Sequence, residues 1–205
     1  MRAYKFVDLE HADAVERGCL KIGTLSSYAG LEGEKKDDRE GVLIRKVSSL
    51  RISDSQNDPA GVNIAAQIGI VLGNGSDVRI TNCSSELRHP NVYCFCMSSS
   101  SKNLRLAGER HQAVFEIKGV HSLAYILHKQ NADRLKYALV KRVQYQSREV
   151  EVSAFSPEYP DPFVKDVSYT DEDEVRIIWS APTSPIEPFI TPESFMVANL
   201  LRRIA

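Results

Sequence analysis

Apolar positions along the chain fall mostly into short β-branched and aromatic runs broken by turn residues. Only a few stretches keep the helical period. Tyr4–Val7 reads as a first strand. Asp8 then stands as a helix N-cap, with Leu9, Ala12 and Val15 at helical spacing and Gly18 closing the helix. Cys19–Leu25 returns to a strand pattern, and Gly30–Gly41 is a polar, charged loop. Val42–Val47, Ile64–Leu72 and Val78–Thr81 read as strands, with turn chemistry at Asn57–Gly61 and Gly73–Ser76. Asn91–Met97 is a strand that runs into Ser98–Ser101, and Ala113–Ile117 is another. Val120–Gln130 has the helical period, with Leu123, Ile126 and Leu127 inward. Leu139–Tyr145 and Val150–Phe155 read as strands paired across Gln146–Glu149. Three prolines within Ser156–Pro162 forbid regular structure there. Val175–Trp179 is a late strand, and Thr191-Pro192 opens a last helix, Glu193–Ile204. Strands outnumber helices without regular alternation. This predicts an α+β fold of two packed, mainly antiparallel or mixed sheets with a few helices.

The 205 residues are 42% apolar, enough for a substantial core in a single domain over 1–205, with or without an insertion. A net charge of −1 argues against a protein that coats nucleic acid by bulk charge, and leaves a local basic groove open. No apolar run approaches the roughly 20 residues of a membrane span, and Met1–Phe6 lacks a signal-peptide pattern. The expected setting is cytoplasmic, with no membrane partner. Of the four cysteines, Cys94 and Cys96 flank one residue inside a strand pattern. With no second ligand pair they read as reduced core thiols rather than zinc ligands. No metal site is expected.

The densest chemistry is Tyr169–Trp179. If Glu172 and Glu174 are both extended, alternation places their carboxylates on one face at the entrance of a strand, with Asp171 and Asp173 opposite. Such carboxylates suit a developing positive charge or proton abstraction from a nucleophile. The plainer alternative is an acidic turn before a buried strand, with Arg176 in surface ion pairs. Ser98–Ser101 either orient a ligand or form a polar loop, without the glycine elbow of a serine hydrolase. Arg39, within Asp37–Gly41, either holds a phosphate or belongs to a solvated charge cluster. Tyr4-Lys5 is open in the same way. Gly73-Asn-Gly75 is a turn, not a dinucleotide fingerprint. Lys136, Lys141, Arg142 and Arg148, mixed with Tyr137 and Tyr145, form either a nucleic-acid strip or the solvent face of a sheet.

The segment Tyr169-x-x-Glu172-x-Glu174-Val175-x-Ile177 resembles the Glu-x-Glu strand of mono-ADP-ribosyltransferases of the arginine-type toxin and ectoenzyme class. The opening strand, the helix ending in Gly18 and Leu20–Thr24 are similar in order. The chain also resembles an uncharacterised bacterial family that opens on Tyr-Lys-[Tyr/Phe], has an Asp-x-x-Glu-Gly loop (here Asp38–Gly41, one residue shorter) and closes on Tyr-x-x-Glu-x-Glu-x-Arg. The resemblance implies an ADP-ribosyltransferase-like fold with NAD as co-substrate and no metal. Glu174 is then the catalytic glutamate and Glu172 the acceptor-activating one. Ser98 or Ser100 would support the nicotinamide ribose. Tyr4 or Lys5 would take the first-strand NAD position, where the family has Arg or His, unless Arg2 matches after a two-residue shift. Thr24, Tyr28, Arg39 and Tyr169 complete the implied NAD-contacting set, with Lys5, Arg2 or Arg39 as the pyrophosphate cation.

The implied protein is a toxin or phage-defence enzyme modifying a macromolecule, protein or nucleic acid, with an antitoxin or immunity partner. Two further readings stand beside it. One is a non-catalytic NAD-, nucleotide- or partner-binding module. The other is a nucleic-acid-directed enzyme, including a phosphotransferase acting on RNA.

Overall fold

The Tyr4–Val7 run at the start of the chain lies in β1 (Ala3–Asp8), after which a 3-10 turn (Leu9–His11) leads into α1 (Ala12–Glu16). The computed structural model describes residues 1–29, 37, 39–102, 112–153, 160–181 and 187–205. In chain order there follow β2 (Ile22–Thr24), α2 (Leu25–Ala29), β3 (Val42–Ile52), α3 (Pro59–Gln67), β4 (Val78–Arg88), β5 (Tyr93–Ser98) and β6 (Gln112–Ile117). Then come α4 (Val120–Gln130), β7 (Lys136–Arg142), β8 (Gln144–Tyr145), β9 (Glu149–Glu151) and β10 (Val164–Lys165). A second 3-10 turn (Val167–Glu172) precedes β11 (Glu174–Ser180), β12 (Phe189–Ile190), α5 (Phe195–Ala198) and β13 (Leu201–Arg203). The fold is α+β. Among the described residues no helix is long and apolar enough to cross a membrane.

The chain divides into two compact units. The first comprises Met1–Glu40, Asn91–Tyr145 and Pro162–Ala205; the second comprises Gly41–Pro90 and Gln146–Asp161. The first unit holds an eight-stranded antiparallel sheet. Its centre is β5, which pairs along one side with β11 and on the other with both β1 and β2; β6 and β13 extend it beyond β1, and β7 beyond β11. The core lies on one face, where Phe95, Phe115, Val175, Ile177 and Trp179 meet Leu123 and Leu127 of α4. That helix falls where the sequence pattern places it, with Leu123 and Leu127 buried and Ile126 partly so. The second unit is a three-stranded mixed sheet in which β4 pairs antiparallel and β9 parallel to β3. It has its own core of Val47, Ile52, Ala65, Ile80 and Val152.

Four local expectations change. Ile64–Leu72 is not a strand. The chain around it forms α3, because Asp58 caps it (Oδ1 accepts from the Gly61 N–H at 2.8 Å) and Pro59 fills its first turn. Gly61, Ile64, Ala65 and Ile68, at helical spacing, meet that unit's core or are buried with it. Among the described residues the expected hairpin across Gln146–Glu149 does not form. β7 pairs with β11, while β9 pairs with β3 in the other unit. Asp8 occupies an N-cap position without a side-chain cap bond.

The last helix shrinks to α5, capped by Ser194, whose Oγ accepts from the Val197 N–H at 3.3 Å; the chain then leaves as β13. Thr191-Pro192 precedes no helix directly, Glu193 is bridged to Cys19, and Gly18 lies so close that a Cβ there would sit 2.1 Å from the Ser194 carbonyl oxygen. Gly18, at φ +85°, serves as both helix terminator and close-approach point. Residues 30–36 and 38 of the expected charged loop, and 154–159 of the expected strand and proline-rich approach, lie outside the described residues.

Candidate functional site

Sheet register brings three strands of the first unit to one point. Tyr4 of β1 lies opposite Ser98 of β5, and Ser98 lies opposite Glu174 of β11. Residues directly opposite share a face, so Tyr4, Ser98 and Glu174 form a cross-strand row. Tyr4–Ser98 is the one pairing of β1 with β5, and the two strands part beyond it. Lys5 fills the gap, its Nζ donating to the Cys96 carbonyl at 2.8 Å and lying 4.8 Å from the Phe95 ring centroid. Here a cavity of about 140 Å³ opens. Its walls are Tyr4, Lys5, Phe6 and Tyr28, with Cys96–Ser98 from β5. Asp37, Glu40, Lys165, Glu172, Glu174 and Arg176 line the rest.

Glu172 and Glu174 converge, though not by simple alternation. Glu172 ends the 3-10 turn, Asp173 takes the left-handed conformation at φ 46°, and Glu174 begins β11. The two glutamates are buried while Asp171 and Asp173 are exposed. Ser98 fixes the turn: its Oγ donates to the Glu172 carbonyl at 3.0 Å and accepts from the Ser100 N–H at 3.1 Å. The Glu174 N–H donates to Tyr145 Oη at 2.7 Å.

The carboxylates sit in a buried ionic network. Arg176 grips Glu174 with Nε on Oε1 at 2.6 Å and Nη2 on Oε2 at 3.1 Å. Its Nη1 reaches Glu40 Oε1 at 2.8 Å and the Pro162 carbonyl at 2.5 Å. Lys165 Nζ bonds Glu172 at 2.6 Å and Glu174 at 3.2 Å, with Glu40 at 3.9 Å. All five side chains are less than a tenth exposed. Taking so many charges out of water is costly unless each is paired and hydrogen-bonded, as they are.

The network sets the ionisation. Burial disfavours the Glu174 carboxylate, but Arg176 and Lys165 more than offset that and hold it well below the usual carboxylate range. Burial also disfavours both cations, and the surrounding glutamates, Glu174 foremost, overcome it and raise the proton affinity of each. At Glu40 burial wins over Arg176, and its carboxyl is raised. Burial, with Cys96 and Cys94 nearby, raises the Tyr28 phenol. Hydrogen bonding to Cys94, whose Sγ is 3.4 Å away, and burial raise the Cys96 thiol. The site therefore holds a firmly charged Glu174 carboxylate against the charged Arg176 and Lys165, with the Tyr28 phenol and the Cys96 thiol neutral beside them.

Of the residues singled out in the sequence, Tyr4, Lys5, Tyr28, Ser98, Glu172 and Glu174 line the cavity. Arg2 does not; it is exposed and reaches Glu116 at 3.5 Å. Arg39 is also exposed and outside the lining. Thr24 is buried at the start of α2, where its Oγ1 accepts from the Ser27 N–H at 3.2 Å. Ser100 accepts from the Lys102 N–H beyond the cavity, and Tyr169 stacks its ring 4.7 Å from Lys165 Nζ.

Sequence reasoning missed Glu40, Lys165 and Arg176. Arg176 carried a signal, since Glu174-x-Arg176 is a charged pair on one face of an otherwise apolar strand. Lys165, two residues after Phe163, and Glu40, in a charged loop, carried none.

The chain matches no protein-family model, no curated protein and no solved structure.

Proposed function

We propose that the first unit is an ADP-ribosyltransferase-like enzyme using NAD as co-substrate and modifying a macromolecule. The observation that carries this reading is the row Tyr4–Ser98–Glu174. It joins a first strand, a serine-ended strand and a glutamate strand, in the roles the sequence resemblance gives them. The cavity volume supports a ring-sized group, since about 150 Å³ suffices for benzene. As the glycosidic bond to nicotinamide breaks, its electron pair leaves with the ring and positive character grows on the anomeric carbon. Glu174, held charged by Arg176 and Lys165, supplies fixed negative charge there. Glu172 orients the attacking nucleophile and accepts its proton.

The test is incubation with labelled NAD and a cell lysate. Wild-type protein transfers label, and Glu174→Gln does not. Glu174→Asp, which keeps the charge but withdraws the carboxylate, transfers at least a hundredfold more slowly by the usual worth of a positioned electrostatic group. Near-ultraviolet circular dichroism of Trp179 reports whether each variant is folded. An active, folded Glu174→Gln variant removes Glu174 from the catalytic role.

A non-catalytic binding module is the second reading, favoured by the pairing of both Glu174 oxygens inside the network. Calorimetric binding of NAD or ADP-ribose without label transfer would favour it.

A further inference from the structure

We propose that β7 is a docking strand for single-stranded nucleic acid, leading it toward the Glu174 end of β11. Among the described residues β7 pairs with β11 alone, so its outer edge is open. It carries Lys136, Lys141 and Arg142 and no acid. Among the described residues none of these three cations is ion-paired, whereas Arg2, Lys46, Arg134 and Arg203 each meet a carboxylate.

Tyr137 supplies the second observation. It is 84% exposed and sits at φ 41°, where the register slips between Trp179 and Ser180. The left-handed conformation is strained for a non-glycine residue, and here it presents an aromatic ring to solvent. The same bulge blunts the edge against an added peptide strand. Lys141 Nζ lies 5.1 Å from the Phe163 ring centroid, and its charge is not met by a carboxylate among the described residues. An open ring on a strand with such cations fits an unstacked base and its phosphates better than an acidic peptide.

Register supplies the direction. Arg142 lies opposite Val175 and Lys141 opposite Arg176, and the Val143 N–H donates to the Glu174 carbonyl at 2.9 Å. A strand stacked on Tyr137 with its phosphates on Lys141 and Arg142 therefore runs toward the start of β11. This delivery of an acceptor rests on the transferase reading; the binding itself does not. Of the basic and aromatic residues noted in the sequence, Tyr145 and Arg148 fall out of the strip. Tyr145 is engaged by Glu174, and Arg148 is buried in the other unit.

Fluorescence anisotropy of the full chain with labelled single-stranded RNA and DNA dodecamers tests the surface, against duplex DNA and polyglutamate. Single strands are expected to bind most tightly, with affinity falling as salt rises. Lys141→Glu with Arg142→Glu should reduce the log–log salt slope by about 0.7 for each cation removed, and Lys118→Glu should not. Tyr137→Gly, which suits the backbone conformation, should weaken binding about tenfold at an unchanged slope. Equal or tighter binding of duplex or polyglutamate, an unmoved slope in the double variant, or no binding at low salt would each overturn the proposal. Oligonucleotide binding without label transfer removes the enzymatic reading alone. Transfer to protein without oligonucleotide affinity removes this surface alone.

Discussion

Arg176 holds both oxygens of Glu174 from two residues along the same strand, Nε to Oε1 at 2.6 Å and Nη2 to Oε2 at 3.1 Å. Alternation makes this possible, because positions i and i+2 of β11 share a face. The grip is closed on the far side by Glu40 and the Pro162 carbonyl. Arg176→Met therefore leaves Glu174 and Glu40 without their main counter-charge in a buried setting. The expected loss is about 3–5 kcal/mol, read from urea unfolding. Glu174→Met in the same background removes one stranded charge and should recover part of that loss. A double variant less stable than Arg176→Met would show that the ion pair is not what the single variant breaks.

Glu40 and Glu174 respond to pH in opposite directions. Glu174 is lowered in the fold, so its contribution is present above the ordinary carboxylate value near 4.5 and is lost only as pH falls through its depressed folded value. Glu40 is raised by burial, so its contribution is full below that ordinary value and is lost as pH rises through its folded value. Glu40→Gln should then flatten the decline in stability on the alkaline side of pH 4.5 and leave the acid limb in place. Urea midpoints across that range decide it. An unchanged decline assigns the proton to another group.

The Glu174 backbone is tied to Tyr145, whose hydroxyl accepts the Glu174 N–H at 2.7 Å. Burial, with Glu174 and Glu172 nearby, pushes the Tyr145 phenol up to about 12, so it stays neutral through the physiological range. Tyr145→Phe keeps the ring and leaves that N–H unsatisfied, at a cost of about 1–3 kcal/mol. Amide exchange at Glu174 should accelerate in the variant. Unaltered exchange would mean that water replaces the phenol.

Much of the first unit was legible in the sequence because its central strands are short apolar runs bounded by turn residues, buried almost throughout, and α4 keeps a clean helical period. Glu172 and Glu174 stood out as acids at the entrance of such a run, although a left-handed turn at Asp173 rather than two extended residues brings them together. What was illegible depended on distant partners. The Ile64–Leu72 stretch is apolar enough for a strand, and only the Asp58–Pro59 start decides for a helix. The run around Leu139 could not reveal that its partner is Ile178 rather than Val150. Glu40 and Lys165 belong to the site through contacts 136 and nine residues away, a separation no local pattern encodes.

Ser98 is where the row and the acidic turn meet. It is fully buried, pairs with Tyr4 and Glu174 on either side, and bonds the Glu172 carbonyl and the Ser100 N–H. Ser98→Ala removes both hydrogen bonds with almost no change in volume. One carbonyl and one N–H are left to find water, at about 1–3 kcal/mol if they fail. The larger effect falls on Glu172, whose turn is no longer pinned to β5, while Glu174 remains fixed by its own strand. If Glu172 orients the acceptor, transfer to the acceptor should fall more than NAD affinity does. Equal losses in both would place Ser98 at the NAD side of the cavity instead. Ser98→Thr, which keeps the hydroxyl, should restore the turn if the added methyl is accommodated, and melting curves of the three proteins report that directly.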